Sequence, residues 1–267
     1  MNWGSPFQDP ESWFGCRRER NIETGGENCM RNVLITGGSR GIGAAMVRRF
    51  AAAGDRVYFT YLRSEATAKA LEAETGARAL QADAADANRI REAVEQMRKE
   101  AGDPDVLICN AGISLNRMLT DTSDEDFHQV MDTNVFGTFA AIREVLPGMF
   151  WRRRGCILTV SSIWGQTGAS CESVYSASKA AVIGLTQAVA REAAGAGVRV
   201  NCIAPGMIDT AMNGHLTEQE KETLLEEIPL QRMGTAEEVA ETAFYLAGEA
   251  AGYITGQVIP VNGGWRI

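Results

Sequence analysis

From residue 31 onward, the chain alternates between short apolar runs rich in β-branched residues and longer helical stretches. The apolar runs predict seven strands, at 32–37, 56–61, 77–83, 105–110, 156–162, 198–206 and 256–264. The stretches between them predict helices, at 42–53, 64–75, 86–101 and 124–152, which end near glycines 54, 76, 102 and 155. Strands without polar alternation, separated by helices, are typical of a parallel sheet covered on both faces. The pattern therefore predicts one α/β domain with a doubly wound parallel sheet.

Two later helices are predicted by capping boxes, in which a threonine is followed three residues later by a glutamate, at 217–220 and 235–238. Residues 1–29 do not continue the α/β pattern, and they contain neither the apolar core of a signal peptide nor a periodic stripe. Met30 stands directly before the first strand, and the codons for residues 25–27 can form a ribosome-binding sequence. We therefore expect 1–29 to be an N-terminal extension, disordered or a leader absent from the native protein, and 30–267 to be the domain.

Composition excludes several classes of function. The chain has 26 basic and 34 acidic residues and a formal charge of −8, which argues against a protein that binds nucleic acid through phosphate contacts. No run reaches the eighteen or so apolar residues of a membrane span, so no membrane partner is expected. The six cysteines and two histidines show no metal-ligand spacing, so no metal site is predicted. Three cysteines fall in or beside apolar strand runs, and a reducing cytoplasm is the simplest expectation.

A glycine-rich turn with the sequence TGGSRGIG follows the first predicted strand and opens a helix. Glycines at such a turn let the backbone approach a pyrophosphate, whose charge meets the free amides and the positive end of the helix dipole. The motif alone is a weak signal, but its position on the first strand of an alternating α/β chain strengthens it. It predicts a dinucleotide site at Gly37, Gly38, Ser39, Arg40, Gly41, Ile42 and Gly43.

Tyr175 and Lys179 lie four residues apart, so a helix places them on one face. An ammonium beside a phenol favours the phenolate and lowers the tyrosine pKa, which suits proton transfer to a ketone oxygen. The alternative is a lysine that extends past a half-buried tyrosine on an interface helix. The position of Ser162 favours the catalytic interpretation of this pair. Ser162 ends a predicted strand, and the carboxyl ends of parallel strands line the ligand crevice.

These motifs, with Asn110-Ala111-Gly112, Asn134 and Pro205-Gly206, resemble the short-chain dehydrogenase/reductase family in identity and order from residue 31 to the C-terminus. The resemblance implies a Rossmann-type fold, a homotetramer and reduction of a ketone substrate to a secondary alcohol. It also implies catalytic roles for four residues, with Tyr175 as general acid, Ser162 orienting the carbonyl, Lys179 tuning the tyrosine and Asn134 completing a proton relay.

The same resemblance implies further contacts to the cofactor, at Asp83, Ala84, Asn110, Ala111, Gly112, Tyr175, Lys179, Pro205, Gly206, Ile208 and Thr210. Ile208 and Thr210 belong to a segment, 207–228, that is similar to the mobile substrate loop of the family. NAD enzymes usually place an acid after the second strand, whereas this chain has Arg63 there and Arg40 in the glycine turn. Both arginines could be solvated surface charges. The missing acid and the two cations together predict NADPH/NADP as the cofactor.

Two substrate classes are open at this point. The chain broadly resembles 3-oxoacyl-[acyl-carrier-protein] reductases of fatty acid biosynthesis, and Arg152–Arg154 could meet an acidic carrier protein at the mouth of the site. The segment SSIWGQTGASCE, at 161–172, resembles reductases of a 5-aminopentanone group on elongation factor P, and Glu172 could bind the amine. A third possibility, a dinucleotide-sensing protein without catalysis, is disfavoured because all four catalytic positions are filled.

Overall fold

A computed structural model describes residues 30–211, 214 and 217–266. The predicted N-terminal extension and four residues of the predicted substrate loop lie outside the described residues. No described helix is long and apolar enough to cross a membrane.

The described residues form one seven-stranded parallel sheet, which confirms the predicted architecture. The strands are β1 Asn32–Thr36, β2 Arg56–Tyr61, β3 Arg78–Gln81, β4 Val106–Cys109, β5 Gly155–Val160, β6 Val198–Pro205 and β7 Val258–Val261. Their order in the sheet is β3-β2-β1-β4-β5-β6-β7. Several strands end earlier than predicted, because the residues after them leave the sheet and form the loops of the site.

The helices are α1 Gly41–Ala52, α2 Glu65–Thr75, α3 Ala87–Ala101, α4 Asp124–Met131, α5 Gly137–Arg152, α6 Trp164–Thr167, α7 Ser173–Ala193, α8 Glu218–Glu226 and α9 Ala236–Ala247. Both predicted capping boxes are present, before α8 and before α9. The single helix predicted over 124–152 is interrupted by a π-helical turn, Asp132–Phe136, that separates α4 from α5. This turn contains Asn134, and π-helical turns are frequent at functional sites.

The expectation that Gly155 ends the long helix is wrong. Helix α5 ends at Arg152, Arg153 takes the left-handed conformation with a φ of 53°, and Gly155 begins β5. Glycine at 155 serves packing instead, because a Cβ there would stand 2.4 Å from the sulfur of Met149.

Two layers of helices cover the sheet. Helices α1, α2 and α9 pack on one face around Phe50 and Phe59, and α3, α5 and α7 pack on the other around Leu107 and Ile157. The strand order reverses between β1 and β4. After β1 the chain continues to β2 on one side of this pair, and after β4 it continues to β5 on the other side. In open parallel sheets the ligand binds at this reversal, beyond the carboxyl ends of the strands.

Candidate active site

Glycine is needed at two positions of the turn after β1, because a Cβ on Gly37 or Gly43 would collide with backbone atoms. Gly37 and Gly41 have positive φ angles of 67° and 52°. A Cβ on Gly43 would stand 2.2 Å from the Gly37 carbonyl oxygen, so α1 begins in direct contact with the turn. Arg40 is the N-cap residue, and its guanidinium has no acceptor for the first amides of α1, which remain available to an anion.

The loop after β4 is bonded to the glycine turn. The hydroxyl of Thr36 accepts hydrogen bonds from the backbone N–H groups of Asn110 and Ala111, each at 3.1 Å. The Asn110 amide donates in return to the carbonyl oxygens of Thr36, at 3.2 Å, and Gly37, at 2.9 Å. The two loops that flank the strand reversal therefore form one rigid unit. Thr36 is the first residue of the TGGSRGIG motif but is not among the predicted cofactor contacts, and its position at the end of β1 is the signal for its bridging role.

The remaining residues predicted to contact the cofactor also lie at this edge. A carboxylate oxygen of Asp83 accepts a hydrogen bond from the Ala85 N–H at 2.9 Å, and the carbonyl of Ala84 lies 2.4 Å from where a Cβ on Gly137 would stand. The side chain of Asp83 thus stabilises the loop after β3, and Ala84 packs that loop against α5.

The segment after β6 extends over the glycine turn. Ile208 is buried, and the methyl carbon of Thr210 lies 3.5 Å from the position of a Cβ on Gly41. Before it, Pro205 accepts a hydrogen bond from the Ile163 N–H at 3.0 Å, and Gly206 donates to the Val261 carbonyl at 2.9 Å. Thr210 therefore covers the glycine turn, which is the predicted phosphate end of the site, and Pro205 connects this segment to the loop after β5.

Tyr175 and Ser162 meet with their side chains almost fully buried, at 8% and 7% exposure. The Ser162 hydroxyl is close enough to Tyr175 to act on its pKa, and the Ser162 Oγ accepts a hydrogen bond from the Trp164 N–H at 3.2 Å. Burial raises the pKa of Tyr175 to about 12. The Ser162 hydroxyl opposes this rise, and the nearby carboxylate of Glu172 adds to it. The prediction of a lowered tyrosine pKa is therefore wrong, because burial is the dominant effect.

Lys179 lies beside the Tyr175 ring, as the helical spacing predicts, with Nζ 5.6 Å from the ring centroid. The ammonium donates to the Val160 carbonyl at 2.9 Å. Burial lowers the pKa of Lys179 to about 8, since the charged form loses its hydration. The Ser161 hydroxyl donates to the Lys179 carbonyl at 2.8 Å and fixes α7 against β5. Ser161 is not among the predicted site residues.

Asn134 joins the loop after β4 to helix α7. Its side-chain oxygen accepts from the Ile113 N–H at 2.8 Å, and its amide donates to the Ile113 carbonyl and to the Ser178 hydroxyl, both at 2.9 Å. A Cβ on Gly112 would stand 3.2 Å from both Asn134 Oδ1 and Lys179 Nζ, so these two groups are neighbours. All four predicted catalytic residues are thus brought together. The bond through Ser178 could not be found from the sequence, because Ser178 resembles any small residue of a packed helix.

Arg40 and Arg63 are exposed beyond the carboxyl ends of β1 and β2. Neither forms an ion pair with a carboxylate among the described residues. Glu65, the first acid after β2, is occupied by a 2.7 Å salt bridge with Lys69. The edge near β2 therefore presents positive charge to a ligand.

The three arginines at 152–154 lie at the other edge of the sheet, which corrects the expectation that they surround the site mouth. They precede β5, whereas Ser162 follows it, and six residues of strand separate the two edges by about 20 Å. Arg152 pairs with Asp103 at 2.9 Å, Arg154 pairs with Asp105 at 3.5 Å, and Arg153 donates to the Gly195 carbonyl at 3.0 Å. Within the described residues, no group of three or more His, Cys, Asp or Glu could hold a metal ion.

The chain is similar to known proteins over nearly the whole domain. The family model described as Enoyl-(Acyl carrier protein) reductase matches residues 37–266. The 3-oxoacyl-[acyl-carrier-protein] reductase FabG of Staphylococcus aureus strain Mu50 is 39% identical over 239 residues, which cover 88% of this chain and 97% of the relative. The corresponding protein of Escherichia coli K12 is 37% identical over 233 residues, covering 86% and 95%. The crystal structure of a blue fluorescent protein from a metagenomic library, in complex with NADPH, superposes with a TM-score of 0.84 at 36% identity and covers 89% of this chain and 98% of that one.

The buried ammonium of Lys179 predicts a pH dependence of stability. The pKa of this group is about 8 in the folded protein and 10.5 in its ordinary state, so between these values the unfolded chain binds more protons and stability rises with pH. Relative to the variant Lys179→Met, the free energy of unfolding of the wild type should rise by about 2 kcal/mol from pH 7 to pH 10. Urea unfolding of both proteins at both pH values measures this change.

Lys69→Met is the control for that experiment, because the salt bridge with Glu65 raises the pKa of Lys69 and gives the opposite sign. If the free energies of unfolding of the wild type and Lys179→Met differ by the same amount across this pH range, the lowered pKa of the buried Lys179 is contradicted.

Proposed function

The chain belongs to the short-chain dehydrogenase/reductase family, and from this membership we propose that it reduces a ketone to a secondary alcohol with NADPH, on a 3-oxoacyl group carried by acyl carrier protein. One observation carries the proposal. The buried side chains of Tyr175 and Ser162 lie near the Lys179 ammonium, at the sheet edge where the glycine turn opens α1. This juxtaposition suits proton transfer to an oxygen next to a bound dinucleotide.

The glycine turn fits the pyrophosphate of NADPH. Cβ atoms on Gly37 and Gly43 would collide with backbone, so the tight turn needs glycine there, and no side chain at the N-cap accepts from the first amides of α1. Arg40 and Arg63 would meet the 2′-phosphate, and the loop Asn110–Gly112 with Lys179 would hold the nicotinamide riboside. When bound, NADPH supplies the hydride that reduces the ketone carbon.

The residues of the chain deliver the proton. Because the pKa of Tyr175 is about 12, its phenol remains protonated at neutral pH and acts as the donor to the ketone oxygen. The Ser162 Oγ accepts from the Trp164 N–H, and its hydroxyl proton would donate to the same ketone oxygen. Lys179 is mostly charged below pH 8 and stabilises the phenolate that remains after transfer. Asn134 holds the loop at Ile113 against α7, which keeps the lysine in place.

The carrier-linked substrate is supported by the relatives, two of which are 3-oxoacyl-[acyl-carrier-protein] reductases that this chain matches over 95% or more of their length. Arg153 does not support it within one protomer, because it lies on the far edge of the sheet. The proposal includes a cytoplasmic homotetramer. Phe136 and Phe139, which flank the start of α5 and are about 40% exposed, are suited to such an interface.

A second candidate substrate is a ketone that bears an amine, such as a 5-aminopentanone group on elongation factor P. One observation favours this substrate: the carboxylate of Glu172 is close enough to Tyr175 to raise the pKa of the tyrosine. An ammonium group placed near the reacting ketone would be attracted by this carboxylate.

Tyr175→Phe tests the proposed chemistry. It removes the proton donor and leaves the ring and its packing, so turnover of acetoacetyl thioester with NADPH should fall by about 10²–10⁴ while NADPH binding remains. Tyr253→Phe, at a fully exposed tyrosine, is the matched control. Retention of more than a tenth of the wild-type kcat would show that another group is the acid.

Arg40→Ala combined with Arg63→Ala tests the cofactor. The loss of two cations should weaken NADPH by about ten- to a hundred-fold and leave NADH nearly unchanged, since only NADPH carries the 2′-phosphate. Arg56→Ala is the control, because Arg56 is exposed at the opposite end of the strand that precedes Arg63. Fluorescence titrations that show equal losses for both cofactors would refute the assignment.

Glu172→Gln separates the two substrates. If the substrate bears an amine, the variant should raise its KM by about ten-fold and spare acetoacetyl thioester. If it is carrier-linked, both ketones should respond alike. Glu192→Gln, at the far end of α7, controls for the change in net charge.

A further inference from the structure

The C-terminal residues return to the catalytic edge of the sheet. The buried indole of Trp265 packs edge to face against that of Trp164, with centroids 5.0 Å apart and an interplanar angle of 67°. The guanidinium of Arg266 lies 5.8 Å from the Trp164 centroid and 5.7 Å from the Trp265 centroid. Both distances are within the range of cation–π attraction, so the three side chains form one contact.

Glu227, directly after α8, joins this group from the other side. Its carboxylate accepts a hydrogen bond from Trp265 Nε1 at 3.1 Å and lies 3.8 Å from an Arg266 nitrogen. The Glu227 side chain is 53% exposed, so the ion pair is screened by water, and the bond to the indole is the more specific contact. We call Trp164, Glu227, Trp265 and Arg266 the aromatic clasp.

The clasp holds α8 against the loop after β5. Leu224 and Leu225 of α8 pack in the same small apolar cluster as Ile163 and Trp265. This cluster is separate from the two large ones on the faces of the sheet, and it includes both tryptophans of the clasp.

Trp164 connects the clasp to the catalytic serine. Its backbone N–H donates to Ser162 Oγ at 3.2 Å, and the Gly165 N–H donates to the Ser162 carbonyl at 3.0 Å. A Cβ on Gly165 would stand 2.7 Å from Ser161 Oγ and 2.8 Å from the carbonyl carbon of Lys179, so this short turn has no space in which to shift. The N–H of Trp164 occupies one lone pair of the Ser162 oxygen and thereby restricts where the hydroxyl proton can point.

We propose that Glu227, Trp265 and Arg266 are positioning residues for the ketone reduction. These residues fix the indole of Trp164 and thereby hold the backbone N–H of Trp164 on the Ser162 Oγ. The serine hydroxyl is then kept directed at the ketone oxygen while α8 lies against the site. The inference rests on the proposed function, because it assigns Ser162 to that oxygen. The C-terminus and α8 thus act on the reaction without contacting the reacting atoms.

Three substitutions separate the contacts of the clasp. Trp265→Phe keeps an aromatic ring and removes the donor to Glu227, Glu227→Gln keeps an acceptor and removes the charge, and Glu227→Ala removes both. Trp265→Phe and Glu227→Ala should lower kcat for acetoacetyl thioester by about ten-fold and leave the NADPH dissociation constant unchanged. Glu227→Gln should restore most of the kcat that Glu227→Ala loses. Trp151→Phe, at a 74% exposed tryptophan on the opposite edge, is the matched control.

Two readouts distinguish positioning from a general structural effect. In a Ser162→Ala background, Glu227→Ala should cause no further loss of kcat, because the clasp acts through the serine. In the protein without substrate, deuterium exchange of the Trp164 amide should be faster by about ten-fold in Glu227→Ala than in Glu227→Gln.

The outcomes are decisive in each direction. A wild type that reduces no ketone would overturn the proposed function and, with it, this role of the clasp. An active wild type whose kcat is unchanged in Glu227→Ala, or whose losses in Glu227→Ala and Ser162→Ala simply add, would overturn the clasp alone. Unchanged exchange at Trp164 would likewise show that the clasp does not hold that backbone.

Discussion

The hydrogen bonds between the loops after β1 and β4 are the constraint on which the site depends. Thr36 and Asn110 close a reciprocal set of contacts across the point where the strand order reverses. Without them, the glycine turn and the loop that leads to Ile113 could move independently, and Asn134 would lose its fixed partner. The glycine turn and the part of the cleft that holds the proposed catalytic residues are therefore kept in a fixed relative position by side chains that take no part in the proposed reaction.

Burial gives the two titrating groups of the site opposite tendencies. It raises the pKa of Tyr175 to about 12 and lowers that of Lys179 to about 8, because in each case the charged form loses solvation. At neutral pH the tyrosine keeps its proton and the lysine keeps its charge. The site is thus set for donation to a substrate oxygen rather than for abstraction, which agrees with the proposed direction of reduction.

The fold and the closeness of Tyr175 to Lys179 could be predicted because their signals are local. Each strand is a continuous apolar run, and Tyr175 and Lys179 are related by helix geometry. The rest depends on contacts distant in sequence. The contact of Trp164 with Trp265 joins the loop after β5 to residues about 100 positions later, and Asn134, in the π-helical turn, bonds to Ile113 and Ser178. The tyrosine pKa could not be predicted either, since burial is a property of the folded whole.

The π-helical turn also affects how this chain tolerates insertions and deletions. A π-turn holds one residue more than the corresponding α-helical turn, so α4 and α5 present faces rotated by about 100° relative to one continuous helix. Deleting one residue between Asp132 and Phe136 would give a more regular helix and would swing Asn134 away from Ile113. The length of this segment therefore sets the direction of the Asn134 side chain, and a regular helix of one residue fewer would not reach the same partner.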